Sequence, residues 1–187
     1  MDIKGEYQIA CDRQRVWQAL NDAEVLGRCI PGCEFIEMQS PTRLNARILA
    51  TIGPVKAKFD THISLDNLNP PAGYTLTGES KGGPAGFGRG SADVRLEEKD
   101  GGTLLIYDAR LQVGGKLAQL GSRLVLGATR KMADDFFGSF SRELDPAARR
   151  IVAPGQVATQ GRVPAARIWL LCGIAIAALL IWWFVIR

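Results

Sequence analysis

The stretch Leu44-Asn45-Ala46-Arg47-Ile48-Leu49-Ala50-Thr51-Ile52-Gly53-Pro54-Val55-Lys56-Ala57-Lys58-Phe59-Asp60-Thr61-His62-Ile63-Ser64-Leu65 decides the fold class. Leu44, Ala46, Ile48, Ala50 and Ile52 recur at every second position, and Val55, Ala57, Phe59, Thr61, Ile63 and Leu65 do the same after the Gly53-Pro54 break. A period of two puts these side chains on one face of a pleated strand. Arg43, Asn45, Arg47, Lys56, Lys58, Asp60 and His62 take the opposite face. The pattern is that of an antiparallel hairpin with one face on a core and the other in water.

Outward from this hairpin the pattern extends in both directions. An opening strand is expected over residues 3–9, with Ile3, Tyr7 and Ile9 on one face. Asp12 is placed to cap a helix whose apolar side is Val16, Trp17, Ala19 and Leu20, and a second short helix is expected over 22–26, ending at Gly27. Pro31-Gly32 then breaks the chain. Further strands fit residues 74–79, 87–98 and 103–113, with Gly101-Gly102 at the last turn. A long helix is predicted over 116–144, because Leu117, Leu120, Leu124, Ala128, Met132, Phe136, Phe140 and Leu144 recur at steps of three and four. The order gives an α+β domain over residues 1–145, an antiparallel sheet wrapped around its C-terminal helix.

The remainder of the 187 residues has a different character. Residues 168–186 form an uncharged run bracketed by Arg167 and Arg187, with Trp169, Trp182 and Trp183 near its ends. As a helix it would be about 28 Å long, close to the hydrocarbon thickness of a bilayer, so a single transmembrane anchor is expected there. Residues 146–167, with Pro146, Pro154, Gly155, Gly161 and Pro164, have the composition of a linker. Residues 1–145 hold 18 Lys and Arg against 19 Asp and Glu, whereas 146–187 hold five Arg and no acid, so the net charge of +4 comes from the tail. A basic tail beside an apolar run is a membrane signature and gives no support for nucleic-acid binding. Four Arg precede the run and one follows it, and no signal-type apolar run opens the chain, so the domain is expected on the cytoplasmic side of the membrane.

Several short motifs point to one family. Cys29-Ile30-Pro31-Gly32-Cys33, Lys56-Ala57-Lys58-Phe59, the loop from Gly78 through Gly82-Gly83-Pro84-Ala85-Gly86-Phe87-Gly88-Arg89-Gly90, and Gly114-Gly115-Lys116-Leu117-Ala118-Gln119-Leu120-Gly121-Ser122-Arg123 together resemble the CoxG family of carbon monoxide dehydrogenase subunits. That family is a branch of the START and Bet v 1 (SRPBCC) superfamily. The resemblance implies a helix-grip fold over residues 1–145, a C-terminal membrane segment, and an accessory role beside a molybdenum hydroxylase of carbon monoxide dehydrogenase type. It also implies a bound hydrophobic ligand, a respiratory quinone that takes the enzyme's electrons, and no covalent cofactor.

Under that resemblance the ligand-binding candidates are the inward strand positions Phe59, Ile63, Tyr107 and Leu111, facing Leu120, Leu124, Met132 and Phe136 of the long helix, with Phe87 at the cavity mouth. Two other readings stay open: a pure membrane adaptor without ligand, and an enzyme for apolar substrates with Tyr107 as proton donor. The residues themselves carry no catalytic or metal constellation. His62, the one histidine, falls on the solvated face, and Cys29 and Cys33 lack the further ligands that a zinc site needs. Asp134 and Asp135 diverge by about 100° on a helix and are expected in solvent. Gly86-x-Gly88-x-Gly90 fits no dinucleotide fingerprint, and Gly114-Gly115-Lys116 is followed by Leu117, which fits no Walker motif. The loop glycines are expected to serve either tight bending or close approach of a ligand.

Overall fold

The computed structural model describes residues 1–145; the linker expected over 146–167 and the span expected over 168–186 lie outside the described residues. The element order is β1 (Asp2–Ile9), α1 (Arg13–Leu20), α2 (Ala23–Cys29), β2 (Cys33–Ser40), β3 (Arg43–Ile52), β4 (Val55–Asn69), β5 (Gly73–Lys81), a 3-10 turn (Gly83–Ala85), β6 (Phe87–Lys99), β7 (Gly102–Gly114), α3 (Lys116–Gln119) and α4 (Ser122–Leu144). Seven antiparallel strands form one sheet in the order β1-β7-β6-β5-β4-β3-β2. Consecutive hairpins build most of it, and β1 joins at the far edge of β7, so the chain's first strand pairs with its last. Among the described residues no helix is long and apolar enough to cross a membrane.

The two small helices form where short polar side chains satisfy their first amide groups. Asp12 accepts from Arg15 N at 2.9 Å, and Asp22 accepts from Glu24 N at 2.8 Å and Val25 N at 3.3 Å. Helix α2 runs through Gly27 to Cys29, past the end expected at Gly27, because Leu26 and Cys29 are both buried and hold the last turn. Strand β2 is an addition to the sequence reading. It pairs with β3 through shifts in register at Cys33/Phe35 and Met38/Ser40, and the first of these bulges leaves the neighbours Glu34 and Phe35 both exposed, out of alternation.

The predicted 116–144 helix is two helices. Gly121 stands between them at φ 82°, in the left-handed region, and α4 restarts at Ser122. That break changes the phase of the apolar stripe: Val125 is 1% exposed, while Leu124, expected on the inner side, is 40% exposed. From Val125 the face continues through Met132 and Phe136 to Phe140 and Leu144.

Two apolar clusters fasten α3 and α4 to the sheet. Near the C-terminus of α4, Phe140 and Leu144 pack with Ile9, Val94, Leu96 and Leu105 of the sheet and with Val16, Leu20, Val25 and Cys29 of α1 and α2. At the other end, Leu117 of α3 packs with Ala50, Phe59 and Ala85, joined by Leu120 and Met132. The Arg28–Glu143 ion pair at 2.9 Å ties α2 to α4.

Gly121→Ala should destabilise residues 1–145 by about 1–2 kcal/mol, since a side chain at positive φ is strained. Gly127→Ala, inside α4 with open space where the Cβ would stand, should stabilise by about 0.5–1 kcal/mol. Thermal denaturation of the two variants checks both signs.

Candidate functional site

Between the two clusters the sheet and α4 stand apart. A cavity of about 300 Å³ lies there, floored by strands β3 to β7, roofed by α4 and closed on one side by α1, α2 and β2. Its volume is at the lower end of the range of about 300–1,000 Å³ typical of small-molecule sites. The hollow follows from side-chain size. Ala92 on the sheet and Ala133 on the helix are the small residues in the lining, set among Leu65, Leu76, Val94, Leu105 and Phe136. Next to this floor the inward row across β4 to β7 reads Ile63, Gly78, Gly90, Leu111, with no side chain at its two central positions.

One wall is aromatic. Tyr7 stacks on Phe137 at 4.1 Å between ring centroids, and Tyr107 lies parallel to both at 6.3 and 6.0 Å. Tyr107 faces Gly5 across the β1–β7 ladder and its ring fills the space a side chain there would occupy. The Tyr7 hydroxyl donates to Asp134 Oδ1 at 2.6 Å, tying β1 to α4. Burial, and then the bond to the Asp134 carboxylate, hold this phenol well above the usual tyrosine range. Asp134 is therefore a fastening for the helix as well as an exposed acid, while Asp135 pairs with Lys131 at 2.7 Å on its own helix.

The polar groups of the lining are two phenols, Tyr74 and Tyr107. The Tyr74 ring meets Trp17 edge to face at 5.6 Å, and its hydroxyl has no hydrogen-bond partner among the described residues. Burial pushes Tyr74 up to about 12, so near neutral pH it is a neutral donor. Such a site can seat an apolar molecule and offer a hydrogen bond to an oxygen on it. Its lining holds no carboxylate, imidazole, thiol or amine for proton or acyl transfer.

Of the residues singled out from sequence, Ile63, Tyr107 and Phe136 come together in this lining. Phe59, Leu120 and Met132 belong to the cluster at the α3 end. Leu124 projects outward because of the break at Gly121, and Leu111 sits one row beyond the lining, opposite Gly90. Phe87 stands at the same α3 end, 38% exposed, with its ring against Gly114 and the Arg89 guanidinium 5.2 Å from the ring centroid. Alternation misses Tyr74, which shares its face of β5 with Leu76 and Gly78, and the helical period misses Phe137, which departs from a four-residue stripe. Leu26 and Ile30 also line the cavity, by tertiary placement of α2. His62 is on the outer face, its Nδ1 2.7 Å from Asn45 Oδ1. Among the described residues no group of His, Cys, Asp or Glu could hold a metal ion. Burial pushes the Cys29 and Cys33 thiols up.

The glycine-rich loop serves packing. Gly82 lies against the Phe59 ring, and Gly86, at φ 110°, sits on Gly114 and Gly115 with no room for a Cβ.

The family profile of the carbon monoxide dehydrogenase subunits known as CoxG matches residues 5–145. The chain belongs to this family. A solved structure of a conserved protein from Geobacillus kaustophilus is 30% identical, with a TM-score of 0.72 over 77% of this chain and 95% of its own. A START superfamily protein from Mycobacterium smegmatis (11% identical, TM-score 0.59, 76% of this chain and 96% of its own) shares the fold. So does the Zhui aromatase/cyclase from Streptomyces sp. R1128 (18% identical, TM-score 0.55, 84% of this chain and 99% of its own). The helix-grip fold expected from the motifs is thus the observed one. In these relatives the matched region is almost the whole of the solved chain. No curated protein matches the chain.

Tyr74→Phe should change stability by less than about 0.5 kcal/mol near neutral pH, because no hydrogen bond is lost, whereas Tyr7→Phe should cost about 1 kcal/mol through the bond to Asp134. Unfolded tyrosine ionises near 10 and Tyr74 near 12, so the stabilising difference is complete below pH 10 and falls away as pH rises through that window. Tyr74→Phe should flatten that alkaline loss in denaturant titrations.

Proposed function

We propose that this chain is a membrane-tethered accessory protein that carries a hydrophobic molecule, a respiratory quinone, and brings a cytoplasmic molybdenum hydroxylase of carbon monoxide dehydrogenase type to the membrane. The observation that carries the ligand half of this reading is the apolar cavity between sheet and α4, with its two phenols. A flat ring bearing carbonyl oxygens and an isoprenoid chain suits such a lining: apolar area supplies most of the affinity and a phenol hydroxyl fixes the ring. A bound quinone would accept two electrons and two protons and leave as quinol. The chain's own part is to exclude water and hold the ring; Tyr74 donates and the Tyr7–Asp134 bond keeps the aromatic wall in place.

The partner half rests on the family, whose name ties it to carbon monoxide dehydrogenase. The tether rests on the uncharged run over 168–186. A non-enzymatic role is favoured because the lining holds phenols as its sole polar side chains. The cyclase among the fold relatives, at 18% identity, supports shape alone.

Residues 1–145 purified without detergent from a quinone-containing bacterial host should carry near-stoichiometric quinone in a solvent extract read by mass spectrometry. Ala92→Leu, which fills the floor of the cavity, should keep the fold and abolish the bound ligand. An empty protein that also ignores added quinone would leave an adaptor without cargo. For the tether, the full chain should stay with membranes through a high-salt wash and residues 1–145 should be released. Retention of the short form through that wash would refute the anchor.

A further inference from the structure

Charge is unevenly placed along the domain's long axis. Residues 46–59, 80–92 and 109–133 contain no Asp or Glu, although residues 1–145 as a whole hold 19. These three segments meet at one end of the fold. Phe87 pairs with Gly114, Gly86 packs on Gly115, Leu117 packs with Ala85 and Phe59, and Leu124 lies over Gly53. The end they build is the β3–β4 turn, the 3-10 turn and α3. Its exposed cations include Lys56, Lys116 and Arg123, none of which has an ion-pair partner among the described residues; Lys81 and Arg89 share the single carboxylate of Glu79. The opposite end, at the β6–β7 turn, carries Asp12, Glu97, Glu98 and Asp100.

Two large apolar side chains project among those cations. Phe87 and Leu124 are 38% and 40% exposed, Phe87 flanked by Gly86 and Gly88 and Leu124 three residues beyond Gly121. Exposed Pro54 and Pro84 complete the tips of the two turns. A protein partner with an acidic patch would pair the cations but would leave single apolar tips unmatched. A bilayer takes both, apolar tips at the acyl boundary and Lys and Arg at the phosphates.

We propose that the α3 end of the domain docks directly on anionic phospholipid, as a contact separate from the apolar run of residues 168–186. Such a contact can be weak alone, since a domain linked to a membrane anchor meets the surface at a high effective concentration. The docking needs no occupant in the cavity, so it stands or falls apart from the carrier reading.

The test is co-sedimentation of residues 1–145 with phosphatidylcholine vesicles, with and without phosphatidylglycerol, at low and high salt. Binding should require phosphatidylglycerol and fall with salt. Lys56→Gln, Lys116→Gln and Arg123→Gln should each lower partitioning about fivefold. Phe87→Ser and Leu124→Ser, both at exposed positions, should lower it as well, and Lys99→Gln at the opposite end should leave it unchanged. Thermal melts confirm that the variants are folded. Equal binding to pure phosphatidylcholine, absence of binding at low salt, or an equal loss in Lys99→Gln would overturn the proposal. It would also be overturned if the three charge substitutions weakened capture of the hydroxylase and left vesicle binding untouched.

Discussion

Helix α4 is held on both sides of the cavity, at Met132 and at Phe140 with Leu144, and everything between depends on that. Phe140 and Leu144 are locked among α1, α2 and the β1–β7–β6 side of the sheet, while α3 and Met132 are locked against Phe59, Ala50 and Ala85. A helix is stiff on this length scale, so the segment around Ala133 cannot sag onto the small residues beneath it. Bulky side chains on either side act as spacers, and Ala92 leaves the middle of the floor low, beside the row that holds Gly78 and Gly90.

The size of the void gives this arrangement functional weight. An empty apolar space of about 300 Å³ forgoes packing energy along its lining. A ligand that fills it recovers part of that energy, and anything that binds the folded state alone stabilises it by mass action. The same geometry separates the cavity from the cationic tip. The cavity lies toward the middle of the helix, and the cationic tip lies beyond the cluster around Phe59 and Leu117.

The sheet is legible in the sequence because one of its faces is wet. Alternation from Leu44 to Leu65 fixes two strands and their faces, and Ile63, Tyr107 and Phe136 enter the cavity as alternation and helical period direct. Strand β2 escapes that pattern because its bulge leaves Glu34 and Phe35 both on the exposed side. In the sequence the steps of three and four run through Gly121 without interruption, so the period alone gives one long helix; the positive φ at that residue and the shift of the buried face from Leu124 to Val125 show the break. Leu26 and Ile30 carry no local signal for the site, since the docking of α2 over the sheet edge is a tertiary fact. Tyr74 is readable in principle, by parity with Gly78, but a single tyrosine at a strand start does not differ from any core residue until the register places it beside Val94 and Tyr107.

Trp17 offers a direct view of the cavity, because its ring touches Tyr74 of the lining and it is the one tryptophan in residues 1–145. The measurement is Trp17 fluorescence of that domain during titration with a short-chain quinone. The account predicts saturable quenching at one quinone per protein, lost when Ala92 is replaced by Leu. Quenching that never saturates, or that persists unchanged in the Ala92→Leu protein, would contradict it.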